Sequence, residues 1–188
     1  SMTVETSNQC SFTIKLRPDL APKHVAQITK LAAAGFYNGI VFHRVIDGFM
    51  AQTGDPTGTG TGGSNEPDLP AEFTKEHFGR GTVGMARSQD PNSANSQFFI
   101  CFDDAGFLDK QYTVWGKVIE GMDNVDKIKR GEPVQNPDKI KSLMLEANLD
   151  PARIELAIPM LRGGFPAAAD LAKAEATKAK GAWKAVAG

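Results

Sequence analysis

The sequence predicts a mainly β protein built as a closed antiparallel barrel. Short apolar or alternating runs bounded by glycine, proline, asparagine and aspartate recur from Phe12 to Glu146. Only two segments carry helical spacing. A sheet of many short strands exposes unpaired edges unless it closes on itself, so closure is the expected solution.

Phe12-Thr13-Ile14-Lys15-Leu16 alternates apolar and polar residues and reads as the first strand. Pro22 suits a first helical turn, Val25, Ile28, Leu31 and Ala32 recur at helical spacing, and Gly35 offers a stop. Asn38-Gly39 turns the chain into a strand from Ile40 to Ile46, and Asp47-Gly48 signals a hairpin into Phe49-Met50-Ala51-Gln52. From Gly54 to Pro70 glycine and proline forbid regular structure, which predicts a long surface loop. Its run Gly58-Thr59-Gly60-Thr61-Gly62-Gly63 has the spacing of a dinucleotide-binding turn, but Pro67 and Pro70 stand where the required helix would begin. No lysine-serine or lysine-threonine pair completes a P-loop, so the run is a flexible or tightly turned surface segment. Gly81 to Met85, Phe98 to Phe102 and Thr113 to Ile119 read as strands, and Asn124 to Lys129 as a short helix anchored by Val125 and Ile128. Ile140 to Glu146 closes the sheet.

The chain has 188 residues, 41% hydrophobic and 23% charged, which suits one domain with a real core. A formal net charge of −1 argues against a dedicated nucleic-acid binder. Cys10 and Cys101 form no disulfide framework and read as free thiols. No apolar run approaches a membrane span, no signal peptide opens the chain, and Ser1 before Met2 reads as a tag remnant. The expectation is a cytoplasmic monomer without a membrane partner. Composition shifts after Asn148: Pro151, Pro159 and Pro166 punctuate the chain, and Ala167 to Lys180 is alanine- and lysine-rich. Residues 1–148 are therefore expected to form the domain, and 149–188 an extension that is not an independent domain.

Several chemistries lack support. His24 and His77 have no metal-ligand spacing to each other. Asp103-Asp104 lacks the acidic ladder and glycine of a calcium loop, and no serine sits in a Gly-x-Ser-x-Gly elbow. His43 is expected to be a satisfied core histidine.

The most informative stretch runs from Phe42-His43-Arg44 through Gly48-Phe49-Met50-Ala51-Gln52 to Asp55. It resembles the cyclophilins, the peptidyl-prolyl cis-trans isomerases. Ser96-Gln97-Phe98-Phe99-Ile100-Cys101, then Phe107-Leu108-Asp109 with Trp115-Gly116-Lys117-Val118, follow in the order that family uses. The resemblance spans roughly Phe12 to Lys139. It implies eight strands in a closed barrel with a helix capping each end, and catalysis of rotation about X-Pro bonds with no cofactor and no metal. Its partners would be proline-containing peptides and unfolded or folding proteins. The alternative is a non-catalytic proline-peptide binding module or chaperone-like scaffold.

The resemblance assigns Arg44 and Gln52 as catalytic, Arg44 as the hydrogen-bond donor to the prolyl nitrogen and Gln52 beside it, holding the guanidinium or the substrate carbonyl. It places Phe49, Met50, Phe99 and Leu108 in the proline pocket, Ala86 and Arg87 along the substrate backbone, and Gln97, Phe107 and Tyr112 on the groove. Phe107 stands where many members carry tryptophan, Tyr112 where many carry histidine and Arg87 where many carry asparagine. The missing indole N–H implies weak binding of cyclosporin. Parity adds a constraint. A two-residue turn at Asp47-Gly48 would pair Arg44 with Ala51 and send Gln52 to the opposite face. Arg44 and Gln52 share a face only if the turn holds an odd number of residues. Phe98 and Ile100 share one parity, Gln97 and Phe99 the other, and the first pair, with Val83 and Val114, is expected in the core.

Overall fold

The computed structural model describes residues 9–146 and 155–161. In chain order they form β1 (Gln9–Leu16), α1 (Pro22–Ala33), β2 (Arg44–Ile46), β3 (Met50–Thr53), β4 (Thr82–Met85), β5 (Phe98–Cys101), a 3₁₀ turn (Gly106–Leu108), β6 (Val114–Glu120), α2 (Met122–Val125), β7 (Lys139–Ile140), β8 (Met144–Glu146) and β9 (Glu155–Leu161). The strands make one curled antiparallel sheet in the order β2-β3-β5-β4-β6-β1-β9-β7, with β8 also pairing β9.

The expected mainly β antiparallel fold is present, but the expected eight-stranded count and closure into a barrel are not seen as such. Nine strands are present among the described residues, and β2 and β7 share no ladder. The chain ahead of β2 approaches β7 instead through single contacts. Val41 bridges Lys139, the Phe42 amide donates to Asp138 O, and the Ile140 amide donates to Ile40 O. The strand read at Ile40 to Ile46 therefore holds a regular ladder only over its last three residues. The strand read at Ile140 to Glu146 is likewise two short ones, β7 and β8, interrupted at 141–143.

The sheet also continues past the boundary expected at 148. Strand β9 pairs with β1 over seven residues, from Gln9↔Leu161 to Lys15↔Glu155. Leu156, Ile158 and Met160 are fully buried. Pro159 does not break the strand: its carbonyl still accepts from the Lys141 amide. The alanine- and lysine-rich stretch from Ala167 onward lies outside the described residues.

Two helices pack on this sheet. In α1, Pro22 occupies the first turn, and the buried residues His24, Val25, Ile28, Leu31 and Ala32 form its inner face. The helix has no side-chain cap of its own. Glu72 supplies one from the long loop, its carboxylate accepting from the Lys23 and His24 amides at 3.0 and 3.1 Å. The helix α2 is only four residues long and begins ahead of the expected Asn124, with Gly121 in the left-handed region before it. Its expected anchors Val125 and Ile128 are both buried.

Alternation divides the apolar residues between two clusters. Ile14, Leu16, Val45, Ala51, Val83, Phe98, Ile100 and Trp115 join the helices in the main core. Met50, Phe78, Phe99, Cys101, Leu108 and Val114 form a smaller cluster on the other face. Val114, expected in the core, is buried in this second cluster.

If β9 is part of the folded domain, truncating it must cost stability. Ile158→Ala is expected to lower the unfolding free energy by about 2–5 kcal/mol, the usual range for a fully buried aliphatic side chain. Urea denaturation followed by Trp115 fluorescence measures this, and an unchanged midpoint would show that residues 155–161 do not contribute to the core.

Candidate active site

The geometry starts from one turn. Ile46 pairs with Met50, so Asp47, Gly48 and Phe49 form a three-residue loop. Gly48 takes φ +71°, and the Phe49 amide donates to Ile46 O at 3.0 Å. The odd count sets Arg44 opposite Gln52, as a shared face requires. Register carries the row onward across the sheet: Gln52 opposite Phe99, Phe99 opposite Gly84, Gly84 opposite Val114. Gly84 is needed there. A Cβ at this position would lie 2.6 Å from both Phe78 Cε1 and Phe99 Cζ, whose rings stack at 5.7 Å.

On this face lies a cavity of about 140 Å³ lined by Arg44, Phe49, Met50, Gln52, Ala86, Arg87, Phe99, Leu108 and Tyr112. Its floor is Met50, Phe99 and Leu108, all buried, with Tyr112 packed edge-on to Phe99 at 6.0 Å. Phe107 is not part of the lining. It stands on the rim, 67% exposed, against Phe49 at 5.3 Å. Gln97 lines an adjoining cavity of about 200 Å³, together with Gly60, Thr61, Ser93 and Asn95. That cavity shares Gln52, Ala86 and Arg87 with the first.

A chain of polar contacts links the two. Glu132 accepts from Arg44 Nε at 2.8 Å, Arg44 Nη1 donates to Gln52 Oε1 at 3.4 Å, and Gln52 Nε2 donates to Gln97 Oε1 at 2.9 Å. Gln97 Nε2 then donates to the carbonyls of Gly60 and Gly62 at 3.0 and 2.9 Å. The glycine run thus anchors the site. Its shape comes from Asp55, 1% exposed, whose carboxylate accepts from the amides of Thr57, Gly60 and Gly62 and from the Thr57 hydroxyl. Burial pushes the Asp55 pKa up, but these hydrogen bonds together outweigh it and hold the carboxyl below its usual value. Glu132 is not legible in the sequence because it lies 88 residues from Arg44, and Asp55 because its nearby partners Thr57, Gly60 and Gly62 follow no repeating pattern.

The wall carrying Leu108 is pinned from outside. His77 Nδ1 and Nε2 lie 2.6 Å from Asp109 Oδ2 and Asp104 Oδ2, and these carboxylates also accept from the Phe78 and Gly106 amides. The bond to Asp109, then that to Asp104, raises the His77 pKa. The contribution of this clamp is complete below about pH 6.5, the ordinary histidine value, and is lost as pH rises through the raised folded value. His43 is buried, but neither ring nitrogen has a hydrogen-bond partner among the described residues, so it is not satisfied as expected. Burial lowers its pKa, with Asp55 opposing and Arg44 adding to the shift. Both cysteines are unbridged.

A pocket with an apolar floor beside an arginine, on one face of a curled antiparallel sheet, suits binding of an apolar ring next to a hydrogen-bond donor. Comparison with known proteins agrees. The family described as cyclophilin type peptidyl-prolyl cis-trans isomerase/CLD matches residues 1–145. A probable peptidyl-prolyl cis-trans isomerase of Brucella suis is 64% identical over 151 residues, covering 72% of this chain and 77% of that protein. Peptidyl-prolyl cis-trans isomerase-like 3 of Rattus norvegicus is 44% identical over 139 residues, covering 68% and 84%. Among solved structures, a cyclophilin from Hirschia baltica matches with a TM-score of 0.66 at 28% identity, covering 92% of this chain and 89% of that one. A Cryptosporidium parvum cyclophilin type isomerase, crystallised in the presence of the dipeptide Ala-Pro, matches with a TM-score of 0.59 at 28% identity, covering 81% and 93%. The chain belongs to the cyclophilin-type peptidyl-prolyl cis-trans isomerases.

The Asp55 arrangement makes a test of its own. Because the folded pKa is depressed, its stabilising contribution is present above the ordinary carboxyl value of about 3.9 and is lost as pH falls through the folded value. Asp55→Asn is expected to cost roughly 1.5–3 kcal/mol at neutral pH, the scale of hydrogen bonds to a charged group. It should also flatten the acid limb of the stability curve. Equal stability of the two proteins from pH 7 down to pH 3 would show that the loop does not depend on this carboxylate.

Proposed function

We propose that Arg44 is the group that lowers the rotation barrier, and that the 140 Å³ cavity holds the proline ring. Rotation about the peptide bond faces roughly 18–20 kcal/mol, because amide resonance must be given up. As the prolyl nitrogen pyramidalises, its lone pair becomes a hydrogen-bond acceptor, which the planar amide nitrogen is not. A donor aimed there binds the transition state better than either ground state, which is the requirement for catalysis. No bond to carbon is made or broken.

The observation that carries this reading is the placement of Arg44 directly opposite Gln52 on the rim of a pocket with an apolar floor. Glu132 engages Nε and Gln52 engages Nη1, so the guanidinium plane is held from two sides while donors remain for substrate. Gln52 is a positioning residue, since both ends of its amide are occupied by Arg44 and Gln97. The natural substrates are proline-containing segments of unfolded or folding proteins, in keeping with the Ala-Pro dipeptide used with the Cryptosporidium parvum relative. A cytoplasmic setting fits the two unbridged cysteines, and among the described residues no helix is long and apolar enough to cross a membrane. The chain acts as a monomer in this reading.

In a protease-coupled isomerisation assay, Arg44→Ala is expected to lose most of kcat/KM while the fold persists, checked by circular dichroism. Arg44→Lys should restore little, because an ammonium cannot be held by Glu132 and Gln52 in the same fork. Near-normal turnover by a folded Arg44→Ala protein would favour a pocket that binds proline without catalysis. Cyclosporin should bind weakly, and Phe107→Trp should tighten it by about 1 kcal/mol, the net value of one added hydrogen bond, as measured by isothermal titration calorimetry.

A further inference from the structure

The groove contains two arginines in different electrostatic situations. Arg44 is already ion-paired with Glu132 at 2.8 Å. Arg87 sits between the two cavities and lines both. No carboxylate among the described residues pairs with it. Its Nη groups reach only backbone carbonyls among the described residues, those of Ser88 at 3.0 Å, Gln89 at 3.4 Å and Gln111 at 2.7 Å, and its Nε has no protein acceptor. Its guanidinium lies over the ring of Tyr112 at 4.5 Å and 5.9 Å from the ring of Phe73.

These contacts hold the cation in place without neutralising it. Carbonyl dipoles and aromatic faces fix the guanidinium plane but carry no net charge. Being half-buried, the charge is screened by solvent less than one on an open surface. It therefore favours an anionic neighbour, and the group that enters both adjoining cavities is a peptide. We propose that the Arg87 side chain is a specificity determinant that selects proline segments carrying aspartate or glutamate within one or two residues of the proline. This rests on the assignment of the cavity to proline, and it adds a charge preference that main-chain recognition alone would not give.

The test uses tetrapeptides containing Ala-Pro, with glutamate, glutamine or lysine placed in turn at each position flanking the proline. Exchange NMR reads kcat/KM, and chemical-shift titration of the same peptides reads Kd. At the most responsive position glutamate is expected to exceed glutamine by roughly threefold to fivefold, the scale of a partly exposed ion pair. Lysine should fall below glutamine through like-charge repulsion, and the glutamate advantage should shrink only in part as salt is raised from about 20 to about 500 mM, because a half-buried charge is screened less than an exposed one. Arg87→Gln should bring the glutamate:glutamine ratio to near one, Arg87→Lys should retain part of it, and Arg87→Glu should reverse it toward lysine. The ratio is an internal control for any general loss of groove geometry. A ratio near one at every position in the wild type, or one left unchanged by Arg87→Gln, overturns the proposal. A preference seen in Kd without turnover would support it while counting against the catalytic role of Arg44.

Discussion

The site depends first on strand register. Side chains alternate across a sheet, so a slip of one residue between β2 and β3 would move Gln52 to the interior and Ala51 onto the groove. The three-residue loop at 47–49 prevents that slip, and Gly48 accepts the left-handed conformation that the loop needs. From Arg44 the row passes through Gln52, Phe99, Gly84 and Val114. One local turn thereby aligns a donor, its holder and the pocket floor across four strand pairings. The same alternation sends Val45, Ala51, Ile100 and Val83 into the main core, so the groove cannot shift without exposing that core.

A second constraint comes from outside the strands. A buried carboxylate is costly unless it is fully hydrogen-bonded, and Asp55 meets that condition by drawing in the amides of Thr57, Gly60 and Gly62. A chain rich in glycine and threonine can wrap so closely around one side chain. At Gly62 a Cβ would lie 2.3 Å from Asp55 Oδ1. The carbonyls of Gly60 and Gly62 then face Gln97, which holds Gln52. A segment whose spacing resembles a nucleotide-binding turn thus serves as the fixed end of a hydrogen-bond chain reaching Arg44.

Local pattern made much of this legible in the sequence. Helix α1 was readable from Val25, Ile28, Leu31 and Ala32, and the parity of Phe98 and Ile100 against Phe99 placed them on opposite faces of β5. Parity alone requires an odd turn, and the three-residue loop at 47–49 supplies it. What escaped reading lies in partnerships distant along the chain. Glu132 follows Arg44 by 88 residues and Asn95 serves Ser64 across 31, and no periodicity links such pairs. Strand β9 was hidden by Pro159, whose missing amide argues against a strand while its carbonyl still pairs.

The ion pair between Arg44 and Glu132 is better understood as orientation than as stability. Both side chains are substantially exposed, 41% and 58%, and such pairs contribute little to folding. A flexible arginine free in the groove would have to lose rotamer freedom on each encounter with substrate, at a cost of up to about 2 kcal/mol. Glu132 on one side and Gln52 on the other remove that freedom beforehand. Partial exposure also matters in its own right, since a fully buried guanidinium would need its donors satisfied within the protein and would have none to offer. In the proposed reading the groove is apolar and buried where it would hold the ring, at Met50, Phe99 and Leu108, and open where the donor would meet a nitrogen whose lone pair appears only during rotation.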